Sequence, residues 1–164
     1  MEIEKHWPNI LKVLREGKKS NRFFSIATVN GDGTPHVTPI GHVFFNDDMT
    51  GYYFEQYSEV MPRNFESNNN ICLMSVNSDT FFWLRSLFRG NFSMSPAIRL
   101  MGTVGETREA SAEEIEKLKK SISITSGLKG HKLLWNNLTK VRDMRFTAFS
   151  PAKYPVMCEG LWAE

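Results

Sequence analysis

At 164 residues, with 41% hydrophobic and 23% charged residues and a net charge of +2, the chain is long enough for one continuous core and too balanced for wholesale disorder. So small a charge excludes a general electrostatic grip on nucleic acid; Lys18-Lys19 and the acid-flanked Lys117, Lys119 and Lys120 read as solvated faces. Cys72 and Cys158 lack zinc-site spacing, no run of about 18 apolar residues exists, and MEIEKHWPNI is not a signal peptide, so we expect a cytoplasmic chain with buried free thiols and no membrane partner.

In chain order, residues 4–17 predict a helix, with Pro8 in its first turns, Ile10, Val13 and Leu14 on one apolar face, and Gly17 as its stop. FFSIATVNGDGTPHVTPIGHVFFNDDMTGYYFEQYS follows, rich in β-branched and aromatic residues and broken by Asn-Gly-Asp-Gly and Asn-Asp-Asp-Met-Thr-Gly. Those clusters are turn signals, so three antiparallel strands are expected near 22–29, 35–45 and 51–57. Asn30-Gly31-Asp32-Gly33-Thr34 joins two strands and opens no helix, which makes it a hairpin turn rather than a nucleotide-binding loop.

EVMPRNFESNN predicts a short helix starting around Pro62, followed by a strand at ICLMSV. FFWLRSLFRGNF, residues 81–92, has no clean period and leaves helix and extended insertion open. A strand is expected at 98–108, then a helix in which Ser111 and Glu114 have capping-box spacing and Ile115, Leu118 and Ile122 share a face. HKLLWNNLTK reads as a further turn or two of helix, and MRFTAFSPAKYPVMCEGLW as a strand, a proline-bearing loop and a final strand. The whole is expected to be mainly β (α+β), a six-stranded antiparallel barrel with peripheral helices in a single domain over 1–164.

Pro35 and Pro39 share parity, so their missing donors point to one edge and residues 35–45 cannot sit in a regular ladder on that side. His36, Thr38, Ile40 and His42 share a face by strand alternation. A proline-protected edge explains this pattern, and so does a strand on which a planar ligand stacks.

ATVNGDGTPHVTPIGHVFF, then GYYFEQYSEVMPRNFESNNNICLMSV, then IRLMGTV resemble, in order and spacing, the core of the pyridoxamine 5'-phosphate oxidase-like FMN-binding split β-barrels. The resemblance runs over roughly residues 22–108. It implies a split barrel working as a homodimer, with FMN between protomers and the redox chemistry supplied by the cofactor. Val37, Thr38, Pro39 and Ile40 would lie along the flavin ring; Phe54, Glu55, Gln56, Tyr57 and Ser58 would approach the ribityl chain and phosphate. Met61 falls in the same stretch, and Arg63 would be the phosphate cation.

Where close relatives carry Lys or Arg, this chain has Val60 or Met61, and Glu55 and Glu59 add negative charge, so Arg85, Arg89 and Arg99 are candidate substitutes. The resemblance makes an FMN-dependent oxidoreductase acting on a small organic substrate or electron donor the leading reading. A non-catalytic flavin or haem carrier and a deazaflavin-dependent reductase are the alternatives. No nucleophile–base pair and no metal-ligand spacing among His6, His36, His42 and His131 stands out. Residues 81–95 are either a hydrophobic insertion or a lid in which Arg85 and Arg89 meet the substrate.

Overall fold

The computed structural model describes residues 2–55, 58–135, 138–154 and 156–162. Its elements run α1 (Ile3–Asn21), β1 (Phe24–Val29), β2 (Pro35–Ile40), β3 (Val43–Phe45), β4 (Thr50–Phe54), α2 (Val60–Ser67), β5 (Asn70–Val76) and α3 (Thr80–Arg89). Then come β6 (Ala97–Glu109), α4 (Ala112–Ile122), α5 (Lys129–Trp135) and β7 (Lys140–Pro151).

The strands form one antiparallel sheet in the order β2-β1-β5-β6-β7-β4-β3. β2 and β3, consecutive in sequence, are therefore its two opposite edges, with only Gly41 and His42 between them. So short a link forces the edges together, and the sheet curls into a barrel split along that seam. The split barrel expected from the sequence is present, with seven strands where six were expected. The strand expected over 35–45 breaks at Gly41–His42 because its halves pair with different partners, β2 with β1 and β3 with β4. Pro35 and Pro39 do lie in an edge strand.

Alternation sends Phe24, Ile26, Ile71, Leu73, Ile98 and Leu100 inward, where they meet Trp7, Ile10, Val13 and Leu14 of α1. Trp7 anchors that helix by donating Nε1–H to the Asn46 carbonyl at 2.9 Å. Gly17 does not end α1, which runs on to Asn21 and closes on Arg22 at φ 64°. Gly17 is instead a contact point, since a Cβ there would strike Ser75 Oγ of β5.

α4 carries the expected capping box: Ser111 Oγ accepts from the Glu114 N–H at 3.2 Å, and the Glu114 carboxylate accepts from the Ser111 N–H at 2.8 Å. α2 begins at Val60, two residues before Pro62, with Pro62 inside its first turn where a missing donor costs little. The expected final strand is absent among the described residues. Residues 156–162 are turns, held where Phe92 N–H donates to the Met157 carbonyl and where Trp162 packs on His6 and Phe149.

Residues 80–89 are helical. Asp79 caps α3 by accepting from the Phe82 N–H at 2.6 Å, and Gly90 ends it at φ 69°. Trp83, Phe82, Phe92 and Tyr154 form an aromatic cluster. Phe81, Leu84, Leu87 and Phe88 face outward, Phe88 at 93% exposure.

A cavity at the barrel seam

The corner at Gly41–His42 stands over β4, where Phe54 donates its N–H to the His42 carbonyl at 3.1 Å. Beside it opens a cavity of about 280 Å³ lined by Thr38, Pro39, Ile40, His42, Phe54, Ser58, Trp135 and Leu138. The seam thus brings together five of the residues singled out in the sequence: Thr38, Pro39, Ile40, Phe54 and Ser58. The apolar walls come from Pro39, Ile40, Phe54, Trp135 and Leu138, and the polar groups from Thr38, Ser58 and His42. Sequence reasoning did not foresee Trp135 and Leu138, which arrive from α5 and the segment after it; no local pattern ties them to β2.

Val37 does not line this cavity. Period-two alternation places it on the opposite face of β2 from Thr38 and Ile40, 59% exposed. Met61 is fully buried in the core. Glu55 turns its side chain away into a clasp. Arg142 Nε donates to Glu55 Oε1 at 2.9 Å and Nη2 to Oε2 at 3.1 Å, while Tyr53 and Thr107 hydroxyls donate to the same carboxylate. Arg142 Nη1 also donates to the Gly105 carbonyl at 2.8 Å, and its guanidinium lies 5.0 Å from the Phe65 ring centre. Burial pushes the Glu55 carboxyl up, but its bonds from Arg142, Thr107 and Tyr53 outweigh that and hold it below the usual carboxylate range. Its charge is therefore spent inside the fold. Gln56 and Tyr57 lie outside the described residues.

Arg63 projects from α2 into solvent, its Nε–H bonded to the Glu59 carbonyl at 3.2 Å. The next residue fixes the helix: buried Asn64 donates to Thr28 Oγ1 at 2.9 Å and to Asn30 Oδ1 at 3.0 Å, docking α2 on β1. Among the described residues no side chain caps the N-terminus of α2. Ser58, the uncapped turn and Arg63 follow one another along the chain, an arrangement suited to an anion.

Among the described residues His42 has its Nε2 buried without a hydrogen-bond partner, and its ring meets Trp135 edge-on with centroids 4.4 Å apart. Burial first, and the Lys18 charge second, pull its pKa down to about 4. The imidazole is therefore neutral near neutral pH.

The larger cavity, about 650 Å³, lies between α2 and β6 and is lined by Phe65, Asn69, Gly105, Glu106 and Arg142. Its buried cation already serves Glu55, so volume does not favour it. No cluster of His, Cys, Asp or Glu that could hold a metal occurs among the described residues, and none of the described helices is long and apolar enough to cross a membrane. Cys72 and Cys158 are free thiols, partly rather than fully buried as expected.

The model of the pyridoxamine 5'-phosphate oxidase family matches residues 10–145. The chain belongs to that family. No curated protein matches it. Among solved structures, an FMN-binding protein from Syntrophomonas wolfei is 14% identical with a TM-score of 0.57, over 93% of this chain and 96% of that one. HutZ, the haem storage protein of Vibrio cholerae, is 18% identical with a TM-score of 0.52, over 94% and 93%. An F420 reductase is 16% identical with a TM-score of 0.53, over 81% and 94%. At such identities these likenesses establish the split-barrel fold alone.

Proposed function

We propose that this pyridoxamine 5'-phosphate oxidase family member binds FMN in the seam cavity and acts, as a cytoplasmic homodimer, as a flavin-dependent oxidoreductase on a small organic substrate. The observation that carries this reading is the convergence of Thr38, Pro39, Ile40, Phe54 and Ser58 on one apolar cavity beside a helix that no described side chain caps and that bears a solvent-facing arginine. Flat apolar walls with a few polar groups suit a planar heteroaromatic ring, and the cavity is at the small end of ligand sites, which run from about 300 Å³ upward. It takes a ring system rather than a whole nucleotide.

The phosphate would then lie toward Ser58 and Arg63. With Glu55 neutralised by Arg142, Glu59 is the nearby carboxylate left to oppose it. When bound, the flavin supplies the hydride or electron transfer, and the protein's part is to orient it and exclude water.

The dimer is supported by the outward face of β1, β2 and β5. Val29, Val37 and Met74 are 37%, 59% and 41% exposed there, apolar side chains that a second copy could cover. Free Cys72 and Cys158 fit a reducing compartment.

The test is a titration of FMN and riboflavin into wild type and Arg63→Ala. A charge-assisted phosphate contact predicts that FMN weakens by about 10- to 150-fold while riboflavin is unchanged. Equal losses would assign Arg63 to the fold. The absorbance spectrum of the purified protein separates the rival cofactors, since haem gives a Soret band and a deazaflavin a single near-visible band.

A further inference from the structure

The ten residues of α3 are held on one side and bare on the other. On the held side Trp83 donates its Nε1–H to the Asn77 carbonyl at 2.7 Å and meets the Phe92 ring edge-on at 5.2 Å. Phe82 stacks on the same ring at 5.7 Å, and Ser86 is buried. On the bare side Phe81, Leu84, Leu87 and Phe88 are 71%, 61%, 63% and 93% exposed. At about 100° per residue, Phe81, Leu84 and Phe88 form a ridge opposite the held side. Leu87 falls on one flank of that ridge, and Arg85 and Arg89 fall together on the other. Single exposed apolar residues are ordinary on a protein surface; four on one short helix mark a contact surface.

Charge selects the kind of partner. Arg85 and Arg89 are exposed and form no ion pair among the described residues. No Asp or Glu occurs in the sequence between Asp79 and Glu106. Packing α3 against α3 of a second copy by two-fold symmetry would crowd like arginines, with no carboxylate of the helix to separate them. The helix is also only about 15 Å long and about 10 Å wide, a footprint on the order of 150 Å², against the roughly 800 Å² per partner of a standard protein interface. An anionic lipid surface meets neither limit. It offers negative charge throughout and takes up apolar side chains to the depth of one helix face.

We propose that α3 seats the protein on an anionic lipid surface, with Phe81, Leu84 and Phe88 entering the boundary between headgroups and acyl chains while Arg85 and Arg89 pair with phosphate and carboxylate headgroups. The helix lies in the plane of the interface and spans nothing, in keeping with described helices too short or too polar to cross a membrane. The sequence-based expectation of no membrane partner rested on spanning segments and signal peptides, which a surface helix does not need. The contact stands apart from the flavin reading and does not depend on it.

Flotation of the full-length protein tests this, with vesicles of phosphatidylcholine containing about 30% phosphatidylserine and with phosphatidylcholine alone. Wild type is expected to float with the anionic vesicles and to leave them as salt is raised. Arg85→Gln with Arg89→Gln should weaken that binding by about 10- to 30-fold, the worth of two basic residues near the surface. Leu84→Ser with Phe88→Ser should weaken it by about 10-fold or more, at unchanged melting temperature and light-scattering mass, because both side chains stand in solvent. Lys117→Gln with Lys120→Gln removes equal charge from α4, where these lysines pair with Glu113 and Glu116, and should leave binding nearly unchanged.

The proposal is overturned if wild type does not float with the anionic vesicles, binds phosphatidylcholine alone as tightly, or loses as much through the α4 lysines as through the α3 arginines. It is equally overturned if Leu84→Ser with Phe88→Ser leaves vesicle binding intact, or turns a dimer into a monomer. The last result would give the ridge to a second copy of the chain.

Discussion

Glu55, at the end of β4, and His42, bonded to β4 through its carbonyl, meet burial in opposite ways. Glu55 is saturated: Arg142, Thr107 and Tyr53 supply its carboxylate, and Arg142 in turn reaches Gly105. His42 is left open, with a desolvated nitrogen that no described residue satisfies. A completed buried network fixes strand geometry, because every member loses a bond if one moves. An unfinished one costs the free protein about 1–3 kcal/mol. The two regions therefore differ in kind: the clasp holds the barrel, and the seam leaves one buried nitrogen unsatisfied among the described residues.

The sharpest way to break this division is to open the clasp. Arg142→Met strands the Glu55 carboxylate in a buried site, and we expect about 3–5 kcal/mol of lost stability by denaturant unfolding at unchanged m-value. Adding Glu55→Leu should restore much of that loss, since a buried pair replaced by apolar groups is often neutral. A small effect of Arg142→Met would remove the clasp from the account of the fold.

Acid gives the next effect, set by the seam. The His42 pKa stands at about 4 in the folded chain against an ordinary 6.5, so the unfolded state binds the proton more tightly. Its contribution to stability is complete above pH 6.5 and is lost as the pH falls toward 4. His42→Phe should flatten that part of the stability curve; an unchanged slope would show that His42 is not held neutral by burial.

The smallest effect is expected outside both regions. Phe88 on α3 is 93% exposed, so Phe88→Ser should change unfolding stability by no more than about 0.5 kcal/mol. If α3 instead lies over a partner's site, Arg85→Ala and Arg89→Ala should alter acceptor KM while melting temperature and flavin content stay nearly constant. Retained kinetics with lost dimerisation would make α3 an interface element only.

The sequence carried the devices that are local. Pro35 and Pro39 announced an edge strand, Asn-Gly-Asp-Gly its hairpin, and Ser111 with Glu114 a helix start, because each acts within a few residues. α3 was left open by the sequence because its apolar residues fall on both faces, Phe82 and Trp83 inward and Phe81, Leu84 and Phe88 outward, so no single apolar stripe marked a helix; the Asp79 cap and the Gly90 stop show it in the structure. The clasp was not legible, since Glu55 and Arg142 are 87 residues apart. Likewise the break at Gly41–His42 depends on β2 and β3 choosing different partners, and Trp135 reaches the cavity only through the fold. In the Arg63-Asn64 pair the sequence drew attention to the arginine, whereas Asn64 is the residue that places it.

Chemical-shift mapping of backbone amides during an FMN titration tests the central claim most directly, because the two regions report separately. The account predicts the largest changes at Thr38, Ile40, Gly41, Phe54 and Leu138, around the seam. Changes centred instead on Asn69, Gly105 and Glu106, beside the Glu55–Arg142 clasp, or no changes at all, would contradict it.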